Sequence, residues 1–353
     1  MLSVSQAIRN RNISQGQLTK YLEDEISRLL GIDYVFLVTS GSMALVLALM
    51  ACGIGKDDEV IIPDRTWIAT AHAVLMLGAV PIIVDTKFDS PIIDEESVET
   101  VLTPKTKAII PVHMNGRAAN MDSIKSIANN NSLMVIEDAA QAFMSKFNEK
   151  FLGTIGDIGC FSLSMAKLIS TGQGGFLATK CSSLASKIKK IRTHGLDTVY
   201  NPSTWGILGG NFRYTDLQAS IGINQLKSLD RKISHCKLIY NTYKSSLTSL
   251  DNHFSLIDVD IKNGEIPIYN EYLCPCREEL LKFLSFHNVN ARPFYPSISQ
   301  APYLSAASTY NHTFSCSNNF SQNGIYLPSG TDLPLKSVHK VISLIKKFFQ
   351  KEL

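Results

Sequence analysis

A chain of 353 residues with 45% hydrophobic and 18% charged residues carries enough apolar material for one large domain and a smaller one beside it. A net charge of +3, with the basic residues dispersed rather than gathered into a stripe, excludes the usual footprint of a nucleic-acid binder. Seven scattered cysteines without framework spacing imply free thiols in a reducing compartment, and no apolar run is long enough to span a bilayer, so a cytoplasmic protein with neither membrane nor metal partner is expected.

From residue 20 onward, short apolar runs alternate with helical patterns. Residues 35–39 read as a strand, followed by Ser40-Gly41-Ser42 and a helical run over 43–52. Residues 59–62 read as a second strand closed by Pro63, and a helix over 68–77 ends at Gly78. Further strands are expected at 81–85, 108–112, 133–137, 158–163 and 176–179. Strands this apolar, separated by helices, are covered on both faces, which predicts an α/β fold with a mostly parallel sheet. Long helices follow over 216–229 and 231–247. Beyond them come a helix at 277–287, a strand at 324–327 and a last helix at 335–350. The predicted organisation is a large domain over 1–235 and a smaller C-terminal α/β domain over 236–353.

In an open α/β sheet, ligands bind at the carboxyl ends of the strands. After the first strand, Ser40-Gly41-Ser42-Met43 opens a helix whose free N–H groups suit a phosphate; a plain N-cap by Ser40 or Ser42 is the commoner use. After the second, Trp67 is one of two tryptophans: it can stack on a flat ring, although burial is the default. Asp138, followed by Ala139-Ala140-Gln141, ends an apolar strand, where a carboxylate needs a partner. A protonated pyridine nitrogen is one such partner and a helix cap is the bland alternative. Lys167 lies between an apolar strand and the turn Gly172-Gln173-Gly174-Gly175. A lone lysine is mostly a solvated charge, but low exposure and cationic neighbours would free its amine for Schiff-base chemistry.

The order phosphate turn, aromatic, Asp-x-x-Gln, Ser-x-x-x-x-Lys, Gly-x-Gly-Gly resembles the DegT/DnrJ/EryC1/StrS family of pyridoxal 5′-phosphate (PLP)-dependent sugar aminotransferases. The likeness runs over nearly the whole chain, including VIEDAAQAF, GCFSLSMAKLISTGQGG and GGNFRYTDLQASIGINQL. It implies the aspartate aminotransferase-like fold, fold type I. By the same resemblance, Lys167 holds the cofactor covalently, Asp138 meets the pyridine nitrogen and Gln141 lies near the ring hydroxyl. Trp67 takes the stacking position. Ser42, the Gly41 and Met43 backbones, and Ser162 match the phosphate cradle. Asn211 matches an asparagine that reaches the phosphate from a second subunit, which implies a homodimer with shared sites. His113, Arg213, Arg292 and Tyr295 are candidate substrate contacts, each with a structural salt bridge or core contact as the alternative.

The implied reaction moves an amino group from glutamate or glutamine, through a pyridoxamine 5′-phosphate form, to a keto-sugar linked to a nucleotide. Competing readings are amination of a smaller ketone or a cyclitol, a sugar dehydratase, and a non-catalytic PLP-binding regulator. The family's dehydratases carry histidine in place of the lysine, so Lys167 argues against that branch. Two departures stand out: Gln173 where an acidic residue is frequent, and Asn115 where an aromatic is common.

Overall fold

The computed structural model describes residues 4–197, 205–250, 252–305 and 313–352. Its main sheet contains β1 (Tyr34–Val38), β2 (Glu59–Pro63), β3 (Val80–Val84), β4 (Thr106–Ile109) and β5 (Met134–Asp138). A short hairpin of β6 (Lys146–Phe147) and β7 (Lys150–Phe151) precedes the last two sheet strands, β8 (Ile158–Ser162) and β9 (Gly175–Thr179). The order is β1-β9-β8-β5-β4-β2-β3. Pairs β5·β8, β4·β5, β2·β4 and β2·β3 are parallel. Only β9 runs against both its neighbours. The reason is local: β8 and β9 are joined by a loop over 163–174 instead of a crossover helix, so the chain turns straight back.

Alternation along each strand feeds two cores. On β2, Ile61 packs into one apolar cluster while Val60 and Ile62 pack into the other, on the opposite face. The helix Gly41–Ala51 is apolar all round and is buried between the sheet and the helices Ala69–Leu75 and Ser182–Ile191. Its first turn is thereby fixed at the end of β1.

A second, antiparallel sheet follows: β10 (Ser255–Leu256), β11 (Asn270–Leu273), β12 (Arg292–Pro293) and β13 (Gly324–Leu327), in the order β10-β11-β13-β12. Its strands have two to four residues, too short for a period-two signal; β13 shows instead as a short apolar run. The helix Leu229–Leu247 joins the two halves. Leu229 and Cys236 pack into the core of the large sheet, whereas Ile239, Tyr243 and Leu247 pack into that of the small one. Chain beyond β12 then folds back over the large sheet. The Asp64 carboxylate accepts from Ser299 N at 2.8 Å and Ser317 Oγ at 2.5 Å, and Asp85 accepts from Cys316 N at 3.0 Å and Ser317 N at 2.9 Å. These carboxylates close the ends of β2 and β3, and Arg65 Nη1 beside them donates to Tyr295 O at 2.7 Å. Among the described residues, no helix is long and apolar enough to cross a membrane.

Candidate active site

The carboxyl ends of β1, β2, β5 and β8, with the start of β9, meet at a cleft of about 460 Å³. Its walls include Gly41, Ser42, Thr66, Trp67, Asp138, Gln141, Ser162, Lys167, Gly174, Tyr269, Arg292 and Tyr295. Residues scattered from 41 to 295 converge here because parallel strands deliver their ends to one edge.

At one end, Ser40 caps the helix Gly41–Ala51, its Oγ accepting from Met43 N at 3.2 Å. That bond engages the Met43 N–H. Gly41 and Ser42 remain, as the first helix residues, whose N–H groups have no partner one turn back. A Cβ on Gly41 would lie 2.9 Å from Ser162 Cβ, so only glycine lets the helix start approach β8 this closely. Ser162 Oγ lies beside it and accepts from Ser164 N at 3.3 Å. Two free N–H groups, a dipole and hydroxyls form a site for an anion.

Asp138 is buried at the end of β5. Its carboxylate accepts from Thr70 Oγ1 at 2.9 Å and Ala140 N at 3.1 Å. Burial pushes its pKa up, against the pull of these two bonds and of Lys167. A cationic ring nitrogen in the cleft would favour the ionised form. Gln141 Oε1 accepts from Asn115 N at 2.9 Å, which leaves Nε2 as the end free for a ligand in the cleft.

Lys167 sits in the loop between β8 and β9. Leu163 pins this loop at both ends: its N–H donates to Gly174 O and its carbonyl accepts from Thr171 N, each at 2.9 Å. Leu168 and Ile169 anchor one side in the core, while Met165 and Ala166 face outward. Burial lowers the Lys167 pKa from 10.5 to about 8, with Arg292 acting in the same direction and Asp138 against it. A neutral amine is therefore accessible near neutral pH, as nucleophilic chemistry requires. An anion cradle, an acid for a ring nitrogen, an amide and a low-pKa amine together fit a flat, phosphorylated pyridine aldehyde.

On the opposite wall, Trp67 is 58% exposed and meets Tyr295 edge-to-face at 5.5 Å. The default of a buried tryptophan does not hold, because Trp67 lies past the end of β2. Arg292 stacks over Tyr326 at 4.8 Å and Tyr269 at 5.7 Å, and both Arg292 and Tyr295 line the cleft.

Other candidates are placed differently. His113 is fully buried, with Nε2 2.9 Å from Glu137 Oε2 and Nδ1 accepting from Ala119 N at 3.2 Å. Both ring nitrogens are engaged and the side chain does not reach the cleft, so direct substrate contact by His113 is corrected to a place in the support behind Asp138. Asn211 and Arg213 lie outside this chain's cleft, paired with each other through Arg213 Nε donating to Asn211 Oδ1 at 2.9 Å. Thr70, Tyr269 and the Asp64 carboxylate were not anticipated as parts of the site, and Asn115 stood out only as a departure from the family pattern.

The sequence profile of the DegT/DnrJ/EryC1/StrS aminotransferase family matches residues 1–346. GDP-perosamine synthase of Caulobacter vibrioides is 32% identical over 339 residues, covering 94% of this chain and 90% of that protein. The GDP-perosamine synthase of Escherichia coli O157:H7 is also 32% identical, covering 95% and 91%. Among solved structures, DesV of S. venezuelae, in complex with a ketimine intermediate, superposes with a TM-score of 0.92 at 27% identity, covering 98% of this chain and 92% of that one.

Proposed function

Because the chain belongs to the DegT/DnrJ/EryC1/StrS aminotransferase family, and is a PLP-dependent aminotransferase, we propose that it moves an amino group from glutamate or glutamine to a nucleotide-linked keto-sugar. The observation that carries this reading is Lys167, a low-pKa amine beside Asp138 in a cleft roomy enough for a cofactor and part of a substrate. The likeness to the perosamine synthases supports the sugar.

Bound in the cleft, PLP supplies an aldehyde for amines and a ring that accepts electrons from a carbanion. Lys167 Nζ takes and returns the proton at the amine-bearing carbon. Asp138, steadied by Thr70 and Ala140, keeps a proton on the ring nitrogen. Gln141 meets the ring oxygen. Gly41, Ser42 and Ser162 hold the phosphate, and Trp67 covers one ring face. Arg292, the cation besides Lys167 among the described residues of the cleft, takes an anionic group of the substrate.

The reaction can be tested in reverse. Mixing the yellow holoenzyme with GDP-perosamine should bleach the visible band and release a keto-sugar, and 2-ketoglutarate should restore the colour. Bleaching by small aminocyclitols but by no nucleotide-linked amino sugar would assign the enzyme to the smaller ketones.

The reading includes a homodimer with shared sites. Asn211 is exposed and does not line its own cleft, and the nearby Trp205 and Leu208 are 76% and 80% exposed. A second copy would cover these apolar groups and bring Asn211 to its partner's phosphate. The test is a mixed dimer of Lys167→Ala and Asn211→Ala subunits, made after the Asn211→Ala homodimer is shown to be impaired. Sharing gives one intact site per mixed dimer, so activity should rise toward about a quarter of wild type on equal mixing and about half in the isolated mixed dimer. No recovery, or an active monomer in sedimentation, would remove the shared-site reading.

A further inference from the structure

Asn115 follows β4 with φ 55° and ψ 33°, and Gly116 continues with φ 78°. Two successive left-handed residues make a sharp corner that few side chains tolerate; asparagine is one of them. The corner is also crowded, since a Cβ at Gly116 would lie 2.1 Å from Ile266 O. It turns the backbone N–H of Asn115 onto Gln141 Oε1 at 2.9 Å.

The Asn115 side chain is fully buried and uses all of its hydrogen-bonding capacity. Its Oδ1 accepts from Ile268 N at 2.9 Å and Tyr269 N at 2.7 Å. Its Nδ2 donates to Tyr269 O and to Glu271 Oε2, both at 3.0 Å. The amide cannot be reversed, because that would set its oxygen against a carbonyl and a carboxylate. Glu271 is in turn paired with Arg117, whose Nε and Nη2 donate to Asp258 O and Ile257 O, each at 2.6 Å. One residue of the turn after β4 thus grips β11 and the chain leading into it, and the same residue holds Gln141.

We infer that Asn115 is a positioning residue that couples the two walls of the cleft: its N–H fixes Gln141 with Nε2 toward the cofactor ring, and its amide fixes Tyr269 on the substrate side. The inference rests on the reading of Gln141 as the ring-oxygen contact. Movement of the small sheet is then felt at the cofactor, through a path of two hydrogen-bonded residues.

The test compares holoenzymes of wild type, Gln141→Ala, Asn115→Gly and Asn115→Asp. Glycine keeps the left-handed corner but frees it from β11. Aspartate keeps the size and the acceptor, loses both donors and faces Glu271 with a like charge. The readouts are the pH midpoint of the visible band and KM against kcat. Gln141→Ala should shift the midpoint, and both Asn115 variants should shift it in the same direction. KM for the amino acceptor should rise roughly tenfold, the scale of one or two buried hydrogen bonds, with kcat less affected. If Gln141→Ala shifts the band but a folded Asn115 variant keeps the wild-type midpoint and KM, the coupling is overturned while the Gln141 reading stands. An unshifted Gln141→Ala overturns both. Should Asn115→Gly fail to fold, the same outcomes are read on Asn115→Asp.

Discussion

Lys167→Ala is expected to remain folded, bind pyridoxamine 5′-phosphate and lose turnover by at least about 10²–10⁴-fold, the range of a lost acid–base group. Borohydride should fix the cofactor onto Lys167 in the wild type and onto nothing in the variant. Capture also has a pH signature. Only the neutral amine attacks an aldehyde, and burial brings its pKa to about 8. Attachment of PLP to the apoprotein should therefore speed up as the pH rises through about 8 and level off above it. Peptide mapping that finds the label on another lysine would refute the assignment. A capture rate still climbing steeply near pH 10 would show that the amine is not depressed.

Asp138→Asn is expected to cost roughly 10²-fold or more in kcat, the scale of removing one preorganised partner from a reacting centre. The amide oxygen can still accept from Ala140 N–H while its NH2 donates to the Thr70 hydroxyl, so the end of β5 should keep its shape. It cannot balance a positive ring, so the loss should fall on proton abstraction, seen as slower bleaching of the band by the amino donor in a single turnover. A variant with wild-type kcat and an unchanged melting temperature would reduce Asp138 to a cap for the turn at Ala140.

The strand ends were legible because each carries its own signal: a run of apolar residues stops at a polar one, and parallel topology puts that residue at the ligand edge. Asp138 and Ser162 are of this kind, and both line the cleft. His113 follows the same pattern but turns inward, because Glu137 is buried behind it and needs a partner. Glu137 also accepts from Gly153, Ile155 and Gly156 N–H groups, so the polar pair is satisfied without solvent or ligand. Asn115 and Tyr269 were illegible as a pair for another reason: their bonds span about 150 positions, and no local period or cap announces them. The strand β9 was expected, but its reversed direction follows from how the catalytic loop closes on Leu163, a long-range choice between two turns.

The helix Leu229–Leu247 has 19 residues and extends about 28 Å, with one half in each core. During synthesis its second half emerges before β11, β13 and the helix Leu335–Glu352 exist to cover it. Ile239, Tyr243 and Leu247 must then wait exposed on a helix whose first half is already packed. A nascent chain paused between this helix and β13 would present these three side chains without the core that covers them in the folded protein.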